Sequence, residues 1–311
     1  MIKKDTLTRL KVLDREVLAQ ALFDLTEQSD DAQAVVDRLT RTPDESYKST
    51  KRSIAALKRS SRYIQWSEVP AFVRKLENLV EDINQIAISA EQRFNLICSF
   101  FETDQATFDR VDDSSGNVGD VYCFSALTVF GESVANLATT NQSVIADELV
   151  RLISKNDYGV RDELVDAAVV HLDDSTIRDL VARFSERSDR EPDSYLSVGW
   201  LRYVLAMAVQ LGDTRLFEIT ALESVANLDN DEVPTNTKLL IASNYFKNSE
   251  FEKAKCWMDE IGPSERSHQS ERNQLLVALH DKLGNPEERD RIAREQFKCS
   301  PSKDALETLI L

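Results

Sequence analysis

A polar loop between residues 108 and 120 holds the residue types that most readily do chemistry. It reads Phe-Asp-Arg-Val-Asp-Asp-Ser-Ser-Gly-Asn-Val-Gly-Asp, and no glycine precedes it in the chain. Hard divalent cations prefer clustered carboxylate oxygens, which Asp112, Asp113 and Asp120 would supply. With Arg110 orienting the carboxylates, the pattern suggests a metal-dependent enzyme whose catalytic candidates are Asp112, Asp113 and Arg110.

A purely structural interpretation fits the spacing of the same loop better. The loop lacks the alternating acidic positions and the terminal glutamate of a calcium-binding loop, and its serines lack a nucleophile-elbow context. In this interpretation Asp113 or Ser114 caps a helix. Gly116 and Gly119 adopt positive φ angles, and Arg110 pairs with an aspartate. We favour this interpretation, which requires no cofactor and no metal.

A basic segment interrupts an otherwise acidic chain. Residues 46–67 contain no Asp or Glu, and helical spacing places six cations along one broad face: Lys48, Lys51, Arg52, Lys58, Arg59 and Arg62. Ile54, Leu57 and Ile64 fall on the other face. With aromatic side chains interleaved, the segment predicts a surface for an acidic partner or for the phosphates of a nucleic acid. Alternatively, the cations pair with acidic neighbours in the same protein or only face water, and we favour this interpretation.

The composition indicates a soluble helical protein. Hydrophobic residues make up 42% of the 311 residues, and glycine (8) and proline (7) are scarce. A formal net charge of −16 repels nucleic acids and anionic membranes. The start shows no signal-peptide pattern, no apolar run has membrane-spanning length, and the four cysteines are scattered as in reduced proteins. We expect a cytoplasmic protein with no membrane contact, and Trp66 and Trp200 as core anchors.

Helical periodicity predicts an all-α fold, a helical-hairpin solenoid-like stack with an N-terminal helical domain and no sheet. The N-terminal domain covers residues 1–155 and contains the polar loop. Stacked helix pairs fill residues 156–311, with helices over Ser194–Leu211 and Thr214–Ala226. Residues 236–298 show a degenerate pattern that is weakly similar to tetratricopeptide-type helical repeats.

The repeat-like pattern is carried by small and aromatic residues in one predicted helix pair. Ala242 and Ala254 would let two helices approach closely, while Tyr245 and Phe251 fill the gap between them. Ser249 stands where such a repeat usually has a loop glycine.

Two segments together resemble an uncharacterised bacterial family of domains of unknown function. One reads Ser-Arg-Tyr-Ile-Gln-Trp at residues 61–66, and the other reads Asp-Asp-Ser-Ser-Gly at residues 112–116. Tyr158-Gly159 and residues 283–288 are weaker points of similarity. The resemblance covers most of the chain and implies an all-helical fold and a bacterial origin. It implies no activity, since none is established for the family.

These observations favour an intracellular scaffold or adaptor that binds a protein or peptide partner. The chain contains no phosphate-binding loop and no dinucleotide-binding motif, so a binding protein is favoured over an enzyme. Two alternatives stay open: a metal-dependent enzyme using the Asp112/Asp113 loop, and a nucleic-acid accessory protein using the basic residues 48–62.

Overall fold

The chain is helical throughout the residues that the computed structural model describes. These are residue 6 and residues 8–29, 32–33, 35–36, 40–191, 194–228, 232–262 and 267–299. Within them no strand forms, and the one bridge between extended segments is an isolated parallel pairing of Ile64 with Val111. The predicted all-α fold class is confirmed.

Contacts between Cα atoms group the chain into two compact units, residues 1–137 with 155–162 and residues 138–154 with 163–311. The domain boundary near residue 155 stays a prediction, because compactness does not test whether either part folds alone. The helical elements of the first unit, in chain order, are α1 (Arg15–Thr26), α2 (Pro43–Arg59), a 3-10 turn (Trp66–Glu68), α3 (Val69–Gln85), α4 (Ala90–Phe101), α5 (Asp104–Phe108), α6 (Asn117–Asp120), a π-helical segment (Val121–Ala126) and α7 (Leu127–Ala138).

The first unit is built around α3, whose apolar residues recur at helical spacing. Phe72, Leu76, Val80 and Ile83 are all buried on that helix. They face α2, α4 and the π-helical segment, each of which packs against α3. A capping box fixes where α2 begins: the Glu45 amide donates to the Thr42 hydroxyl, and the Glu45 carboxylate accepts from the Thr42 amide.

Aromatic rings fill the centre of this unit. Tyr122 is completely buried and stacks on Phe100 with the ring centroids 4.9 Å apart. Its hydroxyl lies 2.7 Å from the Thr103 hydroxyl and 3.2 Å from the Thr107 hydroxyl. The polar end of a buried tyrosine is therefore hydrogen-bonded, as burial of a hydroxyl requires.

One helical stretch of the described residues, Asn117–Ala138, is long and apolar enough to cross a membrane by length and composition. It has 22 residues and a mean hydropathy of 1.3, and half of its apolar window is buried within the protein. A buried core helix of a soluble protein meets the same criterion. From the sequence we expected no apolar run of membrane-spanning length, and Asp120 and Glu132 do interrupt the apolar residues of this stretch.

The second unit consists of helices that pack against their neighbours in the chain. In order they are α8 (Gln142–Ile153), α9 (Leu164–Val169), α10 (Asp174–Arg190), α11 (Ser194–Leu211), α12 (Thr214–Ala226), α13 (Thr235–Lys247), α14 (Phe251–Asp259), α15 (Gln269–Lys282) and α16 (Pro286–Cys299). From α10 to α16 each helix packs on the next one. The bounds predicted for α11 and α12 are confirmed to the residue.

Two further sequence expectations can be followed in this unit. Trp200 is buried against Phe184, with ring centroids 5.4 Å apart, which confirms it as a core anchor. Helices α13 and α14 pack as a pair, with Tyr245 buried in the shared core. Ser249, in the turn between them, has a φ of 62°, the left-handed conformation that a glycine usually adopts there. Membership in a named repeat family stays a prediction.

Alkaline pH should destabilise this protein through Tyr122. Burial raises the pKa of Tyr122 from 10.0 to about 12. The unfolded chain ionises this hydroxyl near pH 10, so its contribution to stability is complete below pH 10 and is lost as the pH rises towards 12. Tyr122→Phe lacks this hydroxyl, so its unfolding free energy should fall by on the order of 2 kcal/mol less than that of the wild type over the same pH range.

Urea unfolding of the wild type and of Tyr122→Phe between pH 9 and pH 11.5 measures this difference. Equal alkaline losses in the two proteins would contradict the assignment.

Candidate functional site

An open cleft lies between α2 and α3 in the first unit. Its volume is about 380 Å³. The residues around it come from the end of α2, the start of α3, the connection between them and the chain after α5: Ala56, Leu57, Ser60, Arg62, Ile64, Glu68, Ala71, Phe72, Lys75 and Arg110. We call it the Arg110 cleft.

Local structure brings Arg110 to this cleft from a distant part of the chain. Helix α5 ends at Phe108, and the Arg110 amide donates to the Thr107 carbonyl over 3.3 Å. The Arg110 carbonyl then accepts from the Ile64 amide over 2.8 Å. This backbone bond and the adjoining Ile64–Val111 bridge fix the α2–α3 connection against the chain after α5.

The Arg110 side chain is 7% exposed and makes no ion pair with any carboxylate of the described residues. Its Nε donates to the Ala106 carbonyl over 3.0 Å, and its Nη1 donates to Ser60 Oγ over 2.8 Å. The guanidinium carbon lies 5.1 Å from the centre of the Phe72 ring. Nη2 is buried and has no hydrogen-bond partner. Burial lowers the pKa of Arg110.

Arg161, in the same unit, shows how this protein compensates a buried guanidinium elsewhere. Its side chain is 4% exposed. Nε donates to one carboxylate oxygen of Asp104 over 2.8 Å, Nη2 donates to the other over 2.5 Å, and Nη2 also reaches the Phe101 carbonyl over 3.2 Å. A two-point pairing of this kind offsets the cost of removing both charges from water. Arg110 is as deeply buried and lacks such a partner.

Two more cations lie around the cleft. Arg62 is exposed and pairs with Glu68, whose carboxylate also accepts from the Gln65 amide over 3.1 Å. Lys75, on the first turns of α3, makes no ion pair among the residues that the structure describes. The cleft therefore carries three cations and one carboxylate in a protein whose net charge is −16.

Two aromatic side chains on the α2–α3 connection are exposed beside the cleft. Trp66 is 69% exposed and Tyr63 is 53% exposed. The prediction that Trp66 is a core anchor was wrong, because the 3-10 turn that it begins turns its indole to solvent while Ile64 is the buried residue of the connection. The sequence pattern alone does not show which of Ile64 and Trp66 is the buried residue.

The polar loop of residues 108–120 is organised by its own backbone. Asp113 accepts from the amide of Val118 over 2.9 Å and from the amide of Gly119 over 2.8 Å, so its carboxylate caps the start of α6. Asp112 accepts from the amide and hydroxyl of Ser114, and these bonds lower the pKa of Asp112. Within the described part of the chain, no group of three or more His, Cys, Asp or Glu side chains is arranged to hold a metal ion.

Two details of the structural interpretation of this loop were wrong. Gly116 has the expected positive φ, 73°, but Gly119 does not, because it already lies within α6. Arg110 bonds to Ser60 and Ala106 and not to an aspartate, since its side chain points away from the loop and into the protein interior.

The six cations of the basic segment do not act alike in the structure. Lys48 pairs with Asp44 over 2.6 Å, Lys58 pairs with Glu102, and Arg62 pairs with Glu68. Lys51 lies 6.0 Å from the centre of the Tyr47 ring. Arg52 and Arg59 are exposed. Ile54, Leu57 and Ile64 are buried, as their spacing predicted. Their role as a partner-binding surface stays a prediction, and three of the six already have a carboxylate partner.

Sequence reasoning missed the residues that give the cleft its character. Lys75 and Phe72 lie three positions apart on α3 and read as ordinary members of an amphipathic helix. The Arg161–Asp104 ion pair joins residues 57 positions apart, and no local pattern announces it. These groups come together only in the folded chain.

Comparison with known families decides where the chain belongs. The model of one family of unknown function, DUF6880, matches residues 4–202. The chain is a member of DUF6880. The matched span contains every residue of the Arg110 cleft and the polar loop. No curated protein and no solved structure matches the chain. The resemblance stated from the sequence is thereby confirmed, and family membership assigns no activity.

Asp113→Ala should lower stability. The change removes a carboxylate that accepts two backbone amides at the start of α6, so we expect a loss of about 1 to 2 kcal/mol in unfolding free energy. Asp120→Ala is the matched control, because Asp120 lies in α6, the helix that Asp113 caps, and its side chain is exposed. Chemical denaturation of both variants measures the difference. Equal stability of Asp113→Ala and wild type would contradict the capping role.

Proposed function

We propose that this member of DUF6880 is an intracellular adaptor that binds partner proteins through the surface beside the Arg110 cleft. The observation that carries the proposal is the exposed aromatic pair. Trp66 and Tyr63 stand 69% and 53% exposed next to a cleft with apolar walls and Arg62 at its edge. Trp, Tyr and Arg are the side chains that most often dominate binding energy at protein interfaces.

The aromatic pair is held in place. Glu68 accepts from the Gln65 amide over 3.1 Å and the Glu68 amide donates to the Gln65 carbonyl over 2.7 Å, closing the 3-10 turn. The Ile64 amide anchors the same connection to Arg110. A side chain presented on a fixed backbone loses less conformational entropy when a partner binds. An exposed tryptophan in this position therefore has the properties of a binding anchor.

A second exposed apolar surface supports the same proposal. No residue of α1 is buried, and Val17, Leu22, Phe23 and Leu25 are between 38% and 59% exposed. Exposed apolar groups concentrated on one helix are typical of helices that dock on a partner protein. The cytoplasmic location and the adaptor role are parts of this proposal.

Trp66→Ala should weaken partner binding without unfolding the protein. Loss of an interfacial tryptophan typically costs 2 kcal/mol or more, which is about 30-fold in affinity. Phe124→Ala is a matched control: Phe124 is 67% exposed, in the same unit, and is not part of the cleft. The measurement is quantitative affinity capture from the native host with wild type, Trp66→Ala and Phe124→Ala, followed by binding of each purified partner.

Proteins retained by wild type and Phe124→Ala but lost from Trp66→Ala are the expected result. A capture profile that is the same for all three chains would contradict the proposal.

A further inference from the structure

Arg110 is a buried charge that the protein's own groups leave incompletely compensated. Buried polar groups in folded proteins nearly always have hydrogen-bond partners, and an exception calls for an explanation. One of the seven such atoms among the described residues is Nη2 of Arg110, which belongs to a guanidinium, the cation best suited to bind carboxylate and phosphate oxygens. Arg110 is also one of the residues that line an open cleft. We propose that the Arg110 cleft binds an organic anion, a carboxylate or phosphate carried on an apolar stem.

Hydrogen-bond donors for the anion are already in place. Nη2 of Arg110 has no acceptor. Ser60 Oγ accepts from Nη1 over 2.8 Å, which leaves its hydroxyl proton free to be donated elsewhere. An anion oxygen that accepts from Nη2 and from the Ser60 hydroxyl would complete the coordination of both groups. At Arg161 the carboxylate comes from within the chain, because Asp104 accepts from Nε and Nη2 of that side chain.

The charges around the cleft also favour an anion. Lys75 lies on the cleft without a carboxylate partner among the described residues, and its ammonium can follow a bound anion because its stem is flexible. The one carboxylate, Glu68, is held by Arg62 and by the Gln65 amide, so its charge is largely engaged. A bound anion thus meets one buried cation and one exposed cation. Such a site also attracts anions against the repulsion of the acidic surface.

The walls of the cleft select what the anion is attached to. Leu57, Ile64 and Phe72 are buried residues that also line the cleft, and Ala56 and Ala71 complete its apolar surface. A stem of several methylene groups would bury apolar area there, at about 0.8 kcal/mol for each fully buried CH₂. Inorganic anions lack this contribution. The volume of about 380 Å³ is within the range of small-ligand sites.

The anion can be a free small molecule or the terminal carboxylate of a peptide, because both present the same group on an apolar stem. This inference stands apart from the proposed adaptor function. Trp66 does not line the cleft, so loss of partner binding in Trp66→Ala and loss of anion binding in an Arg110 variant are separate results.

Isothermal titration calorimetry of the full chain with hexanoate and with hexyl phosphate tests the proposal, with hexanamide as the uncharged match of hexanoate. We expect hexanoate, hexyl phosphate or both to bind the wild type, and hexanamide to bind at least tenfold more weakly than a bound anion. Arg110→Met should weaken binding tenfold or more, and Lys75→Met severalfold. Arg74→Met is the matched control, because it removes a cation from the adjacent position of α3 outside the cleft.

A second pair of probes identifies the source of the anion. A short peptide with an apolar C-terminal side chain is titrated as the free acid and as the C-terminal amide. Selective binding of the acid places a peptide terminus in the cleft, and binding of hexanoate or hexyl phosphate alone places a free organic anion there.

Circular dichroism establishes that each variant is folded, and the Lys75→Met result decides the test if Arg110→Met does not fold. Three results would overturn the proposal. The first is that neither anion nor the free-acid peptide binds, and the second is that hexanamide binds as tightly as hexanoate. The third is that the anions bind equally to wild type, Arg110→Met and Lys75→Met.

Discussion

The buried guanidinium of Arg110 is the junction on which the first unit depends. It contacts the Ala106 carbonyl within α5, the Ser60 hydroxyl at the end of α2 and the Phe72 ring at the start of α3. The Arg110 carbonyl holds the α2–α3 connection through the Ile64 amide. A neutral side chain could occupy the same volume at a lower desolvation cost, so the charge itself requires a reason. An anion in the adjoining cleft supplies one.

The two buried arginines of this unit solve the same electrostatic problem in different ways. Arg161 is neutralised by Asp104 within the chain, and that ion pair ties residues 155–162 to the first unit. Tyr158 adds to the same attachment by stacking on Phe108, with ring centroids 4.9 Å apart, and by donating to Asp109. Arg110 is also buried, but no carboxylate of the described residues pairs with it.

The sequence predicted several features correctly where local rules decide the outcome. The bounds of α11 and α12 follow from helical periodicity and flanking breakers. Asp113 was one of two predicted caps, with Ser114, because a side-chain oxygen just before a helix can accept from its first amides. These features depend on residues within a few positions of one another, which a single sequence displays.

The candidate site depends on residues that the sequence separates. Ser60, Phe72 and Arg110 meet only after α2, α3 and α5 have packed, and nothing in the spacing of residues 108–120 shows that Arg110 points inward. The prediction that Trp66 is buried was wrong for the same reason. A large aromatic side chain is usually buried, and the 3-10 turn exposes this one. Whether a polar or aromatic residue is a core element or a binding element is decided by tertiary contacts.

The most direct measurement is an NMR titration that follows the arginine Nε–Hε signals of the ¹⁵N-labelled full chain during addition of hexanoate. Arg110→Lys and Arg161→Lys identify the two buried side chains in the spectrum. The Arg110 signal should shift with saturation while the Arg161 signal stays fixed, because Asp104 already occupies the acceptor positions around Arg161. An Arg110 signal that stays unchanged in separate titrations with hexanoate and with hexyl phosphate, or equal shifts of the Arg110 and Arg161 signals, would contradict the account.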